Sequence, residues 1–249
     1  MLRGRCRSAG PAMKMLILAG GFGTRLRNML KDVPKPLAPV GSMPFLHYQV
    51  EHWITQGVRS FVFLLHHQAD LIDRFIKERQ SSLLVNCEVK SIIEPQPLDT
   101  GGAVAYAVRQ LGIDGEFIVT NADTWLGSGV RELASAGSDT MVVVRQEEVS
   151  RYGLVDIDDA GFVCGFREKG ESRGAGWINA GMGLFRAEHF RKWNGQRLSL
   201  EKEVFPELLA ARQLKVLPLE SDFIDIGVPA DYLRFCRWQE RGRDGSLCN

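Results

Sequence analysis

The stretch from Met15 to Leu37, MLILAGGFGTRLRNMLKDVPKPL, constrains the fold more than any other part of the chain. Its four apolar residues Met15 to Leu18 are too few for a helix core and suit a buried strand. Glycines end that strand. Gly20, Gly21 and Gly23 lack a Cβ, so the backbone there can take positive φ and turn several N–H groups toward one anion, with Leu18, Ala19 and Thr24 at the edges of the nest. Arg25 adds a planar, permanently charged fork suited to phosphate oxygens. Lys35 adds a compact charge between Pro34 and Pro36, which stiffen its approach. A bare Gly-Gly-x-Gly equally describes a tight turn with no ligand, and it is the two cations that favour phosphate. Leu26 stands where a dinucleotide fingerprint needs its third glycine, and no GxxxxGKS or GxxxxGKT string occurs, so neither of those nucleotide loops is present.

Downstream, the pattern alternates. Pro44 opens a predicted helix through about Thr55, and Phe61 to Leu65 reads as a continuous apolar strand. Leu71 to Ile76 reads as a helix and Val89 to Ile93 as a strand delivering Glu94. Thr100 is placed to cap a helix from Gly101 to Leu111, and Phe117 to Thr120 is a fourth strand ending at Asn121-Ala122-Asp123. This order predicts a mostly parallel, Rossmann-like α/β sheet flanked by helices, with ligands at the carboxyl ends of its strands. From Thr140 the chain becomes strand-rich: Met141 to Val144, Leu154 to Ile157, Phe162 to Phe166 and Trp177 to Phe185, with residues 158 to 161 as a hairpin turn. A helix from Leu200 to Arg212, a strand Val216 to Leu219 and a last helix from Pro229 to about Trp238 follow. His66 and His67 read as ordinary solvated or packed histidines.

Thirty-one basic against thirty acidic residues give a formal charge of +1, which supplies no global field for nucleic acid or an anionic membrane. Anion binding must then be local. No apolar run approaches the ~20 residues of a membrane span. Five cysteines at 6, 87, 164, 236 and 248 lack the paired spacing of a disulfide framework or zinc site, which predicts reduced thiols and a cytoplasmic protein. Residues 1–13 read as a disordered tail before a single domain, 14–249. Nothing signals an oligomer.

Several of these segments together carry a resemblance. LAGGFGTRL, PKPL, EPQPLDTGGA (94 to 103), NAD (121 to 123), FREK (166 to 169), INAG (178 to 181) and FIDIG (223 to 227) resemble the sugar-1-phosphate nucleotidyltransferases. The NMLKDVPKPLAPVGSMPFL and FIDIGVPADY segments are most similar to D-glycero-D-manno-heptose 1-phosphate guanylyltransferases within that family. Phe223 and Val228 depart from the Trp and Thr common there, which leaves the intervening acid intact.

The resemblance implies joining an NTP to a sugar 1-phosphate, of heptose or mannose type, with release of pyrophosphate. Arg25 and Lys35 would stabilise charge on the pyrophosphate side. Asp123 and Asp225 each close a short apolar strand and could be turn acids or caps; the resemblance makes them the holders of Mg2+. Lys169 would meet the incoming sugar phosphate, with Gly153, Glu168 and Asn179 at the sugar; without the family, REKG is only a charged turn. Glu94, Thr100, Gly101 and Gly102 would meet the base. A carboxylate only accepts hydrogen bonds and guanine offers two adjacent donors, so GTP is favoured over UTP, CTP or dTTP. A solvent-facing Glu94, or a non-catalytic nucleotide-sugar-binding protein of the same fold, is the competing expectation.

Overall fold

The computed structural model describes residues 13–23, 26, 29–30, 32–137, 139–168, 170 and 174–243. Residues 1–12 of the expected tail and the candidates Thr24, Arg25 and Lys169 lie outside the described residues.

The sheet is built outward from β1 (Lys14–Leu18), which runs parallel to β4 (Ser60–Leu65) on one side and β6 (Glu116–Asn121) on the other. Leu16 pairs with Val62 and with Val119, so β1 is covered on both faces, which its unbroken apolar sequence requires. β5 (Glu88–Ile93) adds in parallel beyond β4. The helices that make these crossovers lie on opposite faces. α1 (Phe45–Thr55) and α2 (Ala69–Arg79) pack Leu46, Val50, Trp53 and Ile72 against Met15, Ile17 and Phe63. On the other face α3 (Asp99–Leu111) packs Val104 and Val108 against Leu16, Val62 and Val119. The expected parallel α/β half is therefore present, with strand ends within a residue or two of their sequence signals.

The second half grows from the free edge of β6. There β11 (Gly176–Arg186) pairs antiparallel, Leu184 opposite Ile118, and in turn carries β8 (Thr140–Gln146) and β9 (Leu154–Ile157). β10 (Val163–Arg167) closes a hairpin with β9 through the expected 158–161 turn, and β12 (Lys215–Leu219) adds parallel to β8. Beyond the carboxyl end of β6, β7 (Thr124–Leu126) and β13 (Phe223–Asp225) form a short antiparallel pair. α6 (Pro229–Glu240) covers that pair, its Phe235 and Trp238 packing on Phe45, Trp125 and Ile224. Two short strands, β2 (Pro39–Val40) and β3 (Met43–Pro44), and α4 (Val130–Ala136) complete the elements the site uses.

Two helical expectations change. Thr100 does not cap α3, because Leu98 precedes the helix and the Thr100 hydroxyl is engaged across the fold: it accepts from the Leu200 N–H and donates to Glu201. The helix expected from Leu200 to Arg212 is a π-helical turn, Leu200–Val204, leading into α5, Phe205–Ala210. Pro206 has no N–H to continue the ladder behind it, which loosens the first turn. Among the described residues no helix is long and apolar enough to cross a membrane.

One buried charge ties β8 to β11. The carboxylate of Asp139, fully buried at the head of β8, accepts from the backbone N–H and guanidinium of Arg186. Burial pushes its carboxyl up, but Arg186 and His189 outweigh it and hold it below its ordinary value. We expect Asp139→Asn to cost about 3 kcal/mol in urea unfolding at neutral pH, the low end for breaking a buried pair because Arg186 keeps access to water. The cost should shrink as the pH falls through the depressed carboxyl value, where the wild-type charge is also lost.

Candidate active site

The site begins where β1 ends. Ala19 donates its N–H to Leu64 O, and the His67 N–H reaches Gly20 O, so the glycine loop is held down on the end of β4. A Cβ at Gly20 would stand 3.1 Å from a Glu94 carboxylate oxygen and 3.1 Å from His66 Cβ, so a side chain there would push Glu94 and His66 away from the loop. Gly23 alone of the three takes positive φ, at +60°, and a Cβ there would stand 3.0 Å from Lys35 Cγ. The expectation of left-handed backbone at Gly20 and Gly21 is not met. Gly20 is small for approach, while the space beside Gly21 is open.

Lys35 opens a single 3-10 turn, Lys35–Leu37, after the extended Pro34. That rigid turn aims the lysine inward, where Nζ stands 3.1 Å from Asp123 Oδ2 across 88 residues of sequence. Asp225 joins them because β13 pairs with β7 so that Asp225 faces Thr124, while Ile226 donates its N–H to Asp123 O. The Asp225 carboxyl is pushed above its ordinary value, first by burial and then by the Asp123 charge, although the Gly227 N–H (2.7 Å) and Lys35 pull it down. The two carboxylates predicted from sequence are thus gathered. They supply hard oxygen donors with more negative charge than Lys35 offsets, which fits a divalent cation of the magnesium kind. No cluster of three or more His, Cys, Asp and Glu side chains forms among the described residues, so a closed transition-metal cage is not built there.

On one side of this charge cluster lies a cavity of about 220 Å³ between the glycine loop and the Pro97–Thr100 turn. Glu94 faces it, 8% exposed, one carboxylate oxygen accepting the Leu98 N–H at 2.9 Å. Burial pushes its carboxyl up and Asp99 adds to that, with the Leu98 N–H and His66 opposing. Gly101 and Gly102 instead lie buried against Leu198 and Leu200. Three wall residues were not predicted. His66 lines the cavity, Phe22 packs its ring 5.0 Å from that of His67, and Arg197 overhangs the opening 3.4 Å from Asp99. The double histidine after β4 was the only sequence signal for this wall.

On the other side, strand register assembles the sugar-side candidates. Leu154 pairs with both Arg167 and Ile178, so the next positions along those strands, Gly153, Glu168 and Asn179, fall beside one another. A Cβ on Gly153 would stand 3.2 Å from Arg167 O, and Glu168 is exposed. Asn179 accepts the Gly181 N–H at 2.9 Å and borders a narrow cleft with Asn121 and Glu201.

A nucleotidyl transferase family model matches residues 14–240. The chain belongs to the nucleotidyl transferase family. Among its relatives, a D-glycero-alpha-D-manno-heptose 1-phosphate guanylyltransferase of Campylobacter jejuni is 31% identical over 90% of this chain and 98% of its own length. A mannose-1-phosphate guanyltransferase of Hypocrea jecorina is 34% identical over 89% of this chain, which spans 62% of that relative. The crystal structure of HddC from Yersinia pseudotuberculosis complexed with GMP-PN superposes with a TM-score of 0.79 at 33% identity, covering 90% of this chain and 98% of that one. This nucleotidyl transferase thus shares its fold over 90% of its length with a relative solved in complex with GMP-PN.

Asp225 gives a test independent of substrate. Its raised carboxyl means the folded state resists ionisation, so it lowers stability increasingly as pH rises through the raised value. Asp225→Asn keeps the acceptor for the Gly227 N–H and removes the charge. In metal-free buffer at pH 8 its Tm should exceed wild type, with the gain disappearing toward pH 4, while turnover falls by orders of magnitude. An unchanged or lower Tm at pH 8 contradicts the assigned charge crowding.

Proposed function

We propose that the chain transfers a guanylyl group from GTP to a sugar 1-phosphate of heptose or mannose type, releasing pyrophosphate. The observation that carries this reading is the Lys35–Asp123–Asp225 cluster, set at the sheet's carboxyl edge between a base-sized cavity and the sugar-side residues. An oxygen of the sugar phosphate attacks the α-phosphorus, a new P–O bond forms, and the bond to the β-phosphate oxygen breaks as pyrophosphate leaves with the electron pair. Such transfer is mostly positioning and charge neutralisation and needs no protein nucleophile.

The residues divide the work. Amides of the Gly20–Gly23 loop and Lys35 would hold the leaving pyrophosphate, with Arg25 as a second cation. Lys169, after β10, would take the incoming phosphate, beside Gly153, Glu168 and Asn179. Asp123 and Asp225 would hold magnesium, which when bound offsets phosphate charge. Glu94 would accept from guanine N1–H and the N2 amino group on the oxygen capacity that the Leu98 N–H leaves open. Its raised carboxyl supports this, since a buried acid short of donors gains most from a base that brings two. The relatives' heptose and mannose guanylyl chemistry supports the same choice. Cys87, Cys164 and Cys236 stand unpaired among the described residues, a usage that supports a cytoplasmic site of action.

The test is pyrophosphate release across four NTPs crossed with heptose, mannose and glucose 1-phosphates. GTP should lead, and Lys35→Ala should lower kcat by about 100- to 1,000-fold. Glu94→Gln should erode the GTP preference by roughly 5- to 150-fold, corresponding to the ~1 to 3 kcal/mol of one unpaired buried group. Preference for UTP or dTTP in the wild type contradicts the base assignment. No release with any pair contradicts the enzyme reading.

A further inference from the structure

Helix α1 and its C-cap residue present three polar side chains at spacings of three and four residues, Gln49, His52 and Gln56, which places them on one face. Each binds the backbone of the segment 121–130, and in the same order. Gln49 Nε2 donates to Thr124 O at 2.7 Å and to Asn121 O at 3.3 Å. The His52 ring, whose burial lowers its affinity for a second proton, donates from Nε2 to Gly127 O at 3.0 Å and stacks on Trp125. Gln56 Oε1 accepts the Val130 N–H at 3.1 Å.

Gln49 differs from the other two. It is 1% exposed and sits between Phe45, Leu46, Val50 and Trp53 on the apolar face, where a leucine would fill the same space. Both of its partners are carbonyl oxygens, so the amide nitrogen must face them. Those carbonyls flank Ala122 and Asp123 on either side. The segment turns sharply there, Ala122 donating to Leu18 O as the chain leaves β6, and the turned carbonyls have to be met by something. We propose that Gln49 is a positioning residue that sets the Asp123 carboxylate, by clamping the Asn121 and Thr124 carbonyls on either side of the Ala122-Asp123 turn. The helix that bears Gln49 starts eight residues after the end of the Lys35 turn and is joined to its C-cap through Phe45 N–H to Ala38 O. The same rigid body therefore carries both partners of the Lys35–Asp123 contact into register.

The inference rests on Asp123 as a cation holder, and its test separates the two claims. Mn2+ is titrated by electron paramagnetic resonance into the protein with a non-hydrolysable GTP analogue, for wild type, Asp123→Asn, Gln49→Met, Gln49→Asn and Gln56→Met. Asn is polar but too short to reach the carbonyls, so it serves if the Met variant does not fold. Both Gln49 variants should bind Mn2+ about 10- to 100-fold more weakly, the usual effect of losing a group that orients a metal-holding side chain. Gln56→Met should lower Tm but leave Mn2+ affinity at the wild-type value. Wild-type affinity in the Gln49 variants, or an equal loss in Gln56→Met, overturns the positioning role. Wild-type affinity in Asp123→Asn instead overturns the cation assignment itself.

Discussion

Two carboxylates held together at one end of a sheet repel, and the surrounding structure is arranged to keep them there. Asp123 leaves β6 and Asp225 leaves β13, and each would be better solvated apart. They are forced together because β7 and β13 pair and α6 covers the pair with Tyr232, Phe235 and Trp238. The apolar burial under α6 supplies the free energy that the charge crowding costs. Lys35 relieves part of it, and the Pro34 and Pro36 that flank it keep that charge from relaxing toward solvent. A site under such tension is predisposed to take a cation and a polyphosphate, whose charges complement each other.

The sheet's two halves meet along the same edge. Parallel strands β1, β4 and β5 deliver the glycine loop, His66 and Glu94 to the cavity beside the Pro97–Thr100 turn, since every parallel strand ends on the same side. Antiparallel β9, β10 and β11 deliver Gly153, Glu168 and Asn179 by register instead. The Thr100 hydroxyl, bonded to Leu200 and Glu201, ties the two halves together beside that cavity.

Most of the parallel half was legible in the sequence because apolar runs buried on both faces have few other readings, as with Phe61 to Leu65 and Met15 to Leu18. Asp123 and Asp225 were legible as strand-closing acids, and their convergence came from the family resemblance rather than from spacing, since 102 residues separate them. Long-range partners were not legible. Thr100 looks like a helix cap in one dimension because its bond to residue 200 has no local signature. The π-helical turn did have a local signal in Pro206, but a proline near a helix start reads equally as an ordinary first turn. Gln49 did leave a signal, a polar residue inside an apolar helical stripe, which points to an inward partner without saying which.

In the proposed transfer the cluster supports a single direct displacement at the α-phosphorus, with charge and positioning in place of a protein nucleophile. The most direct measurement is the stereochemical course with the Sp diastereomer of guanosine 5′-O-(1-thiotriphosphate), read by phosphorus NMR on the nucleotide-sugar product. Direct attack by the sugar phosphate predicts inversion at that phosphorus. Retention would mean two displacements through a covalent guanylyl-protein intermediate, and would contradict the account.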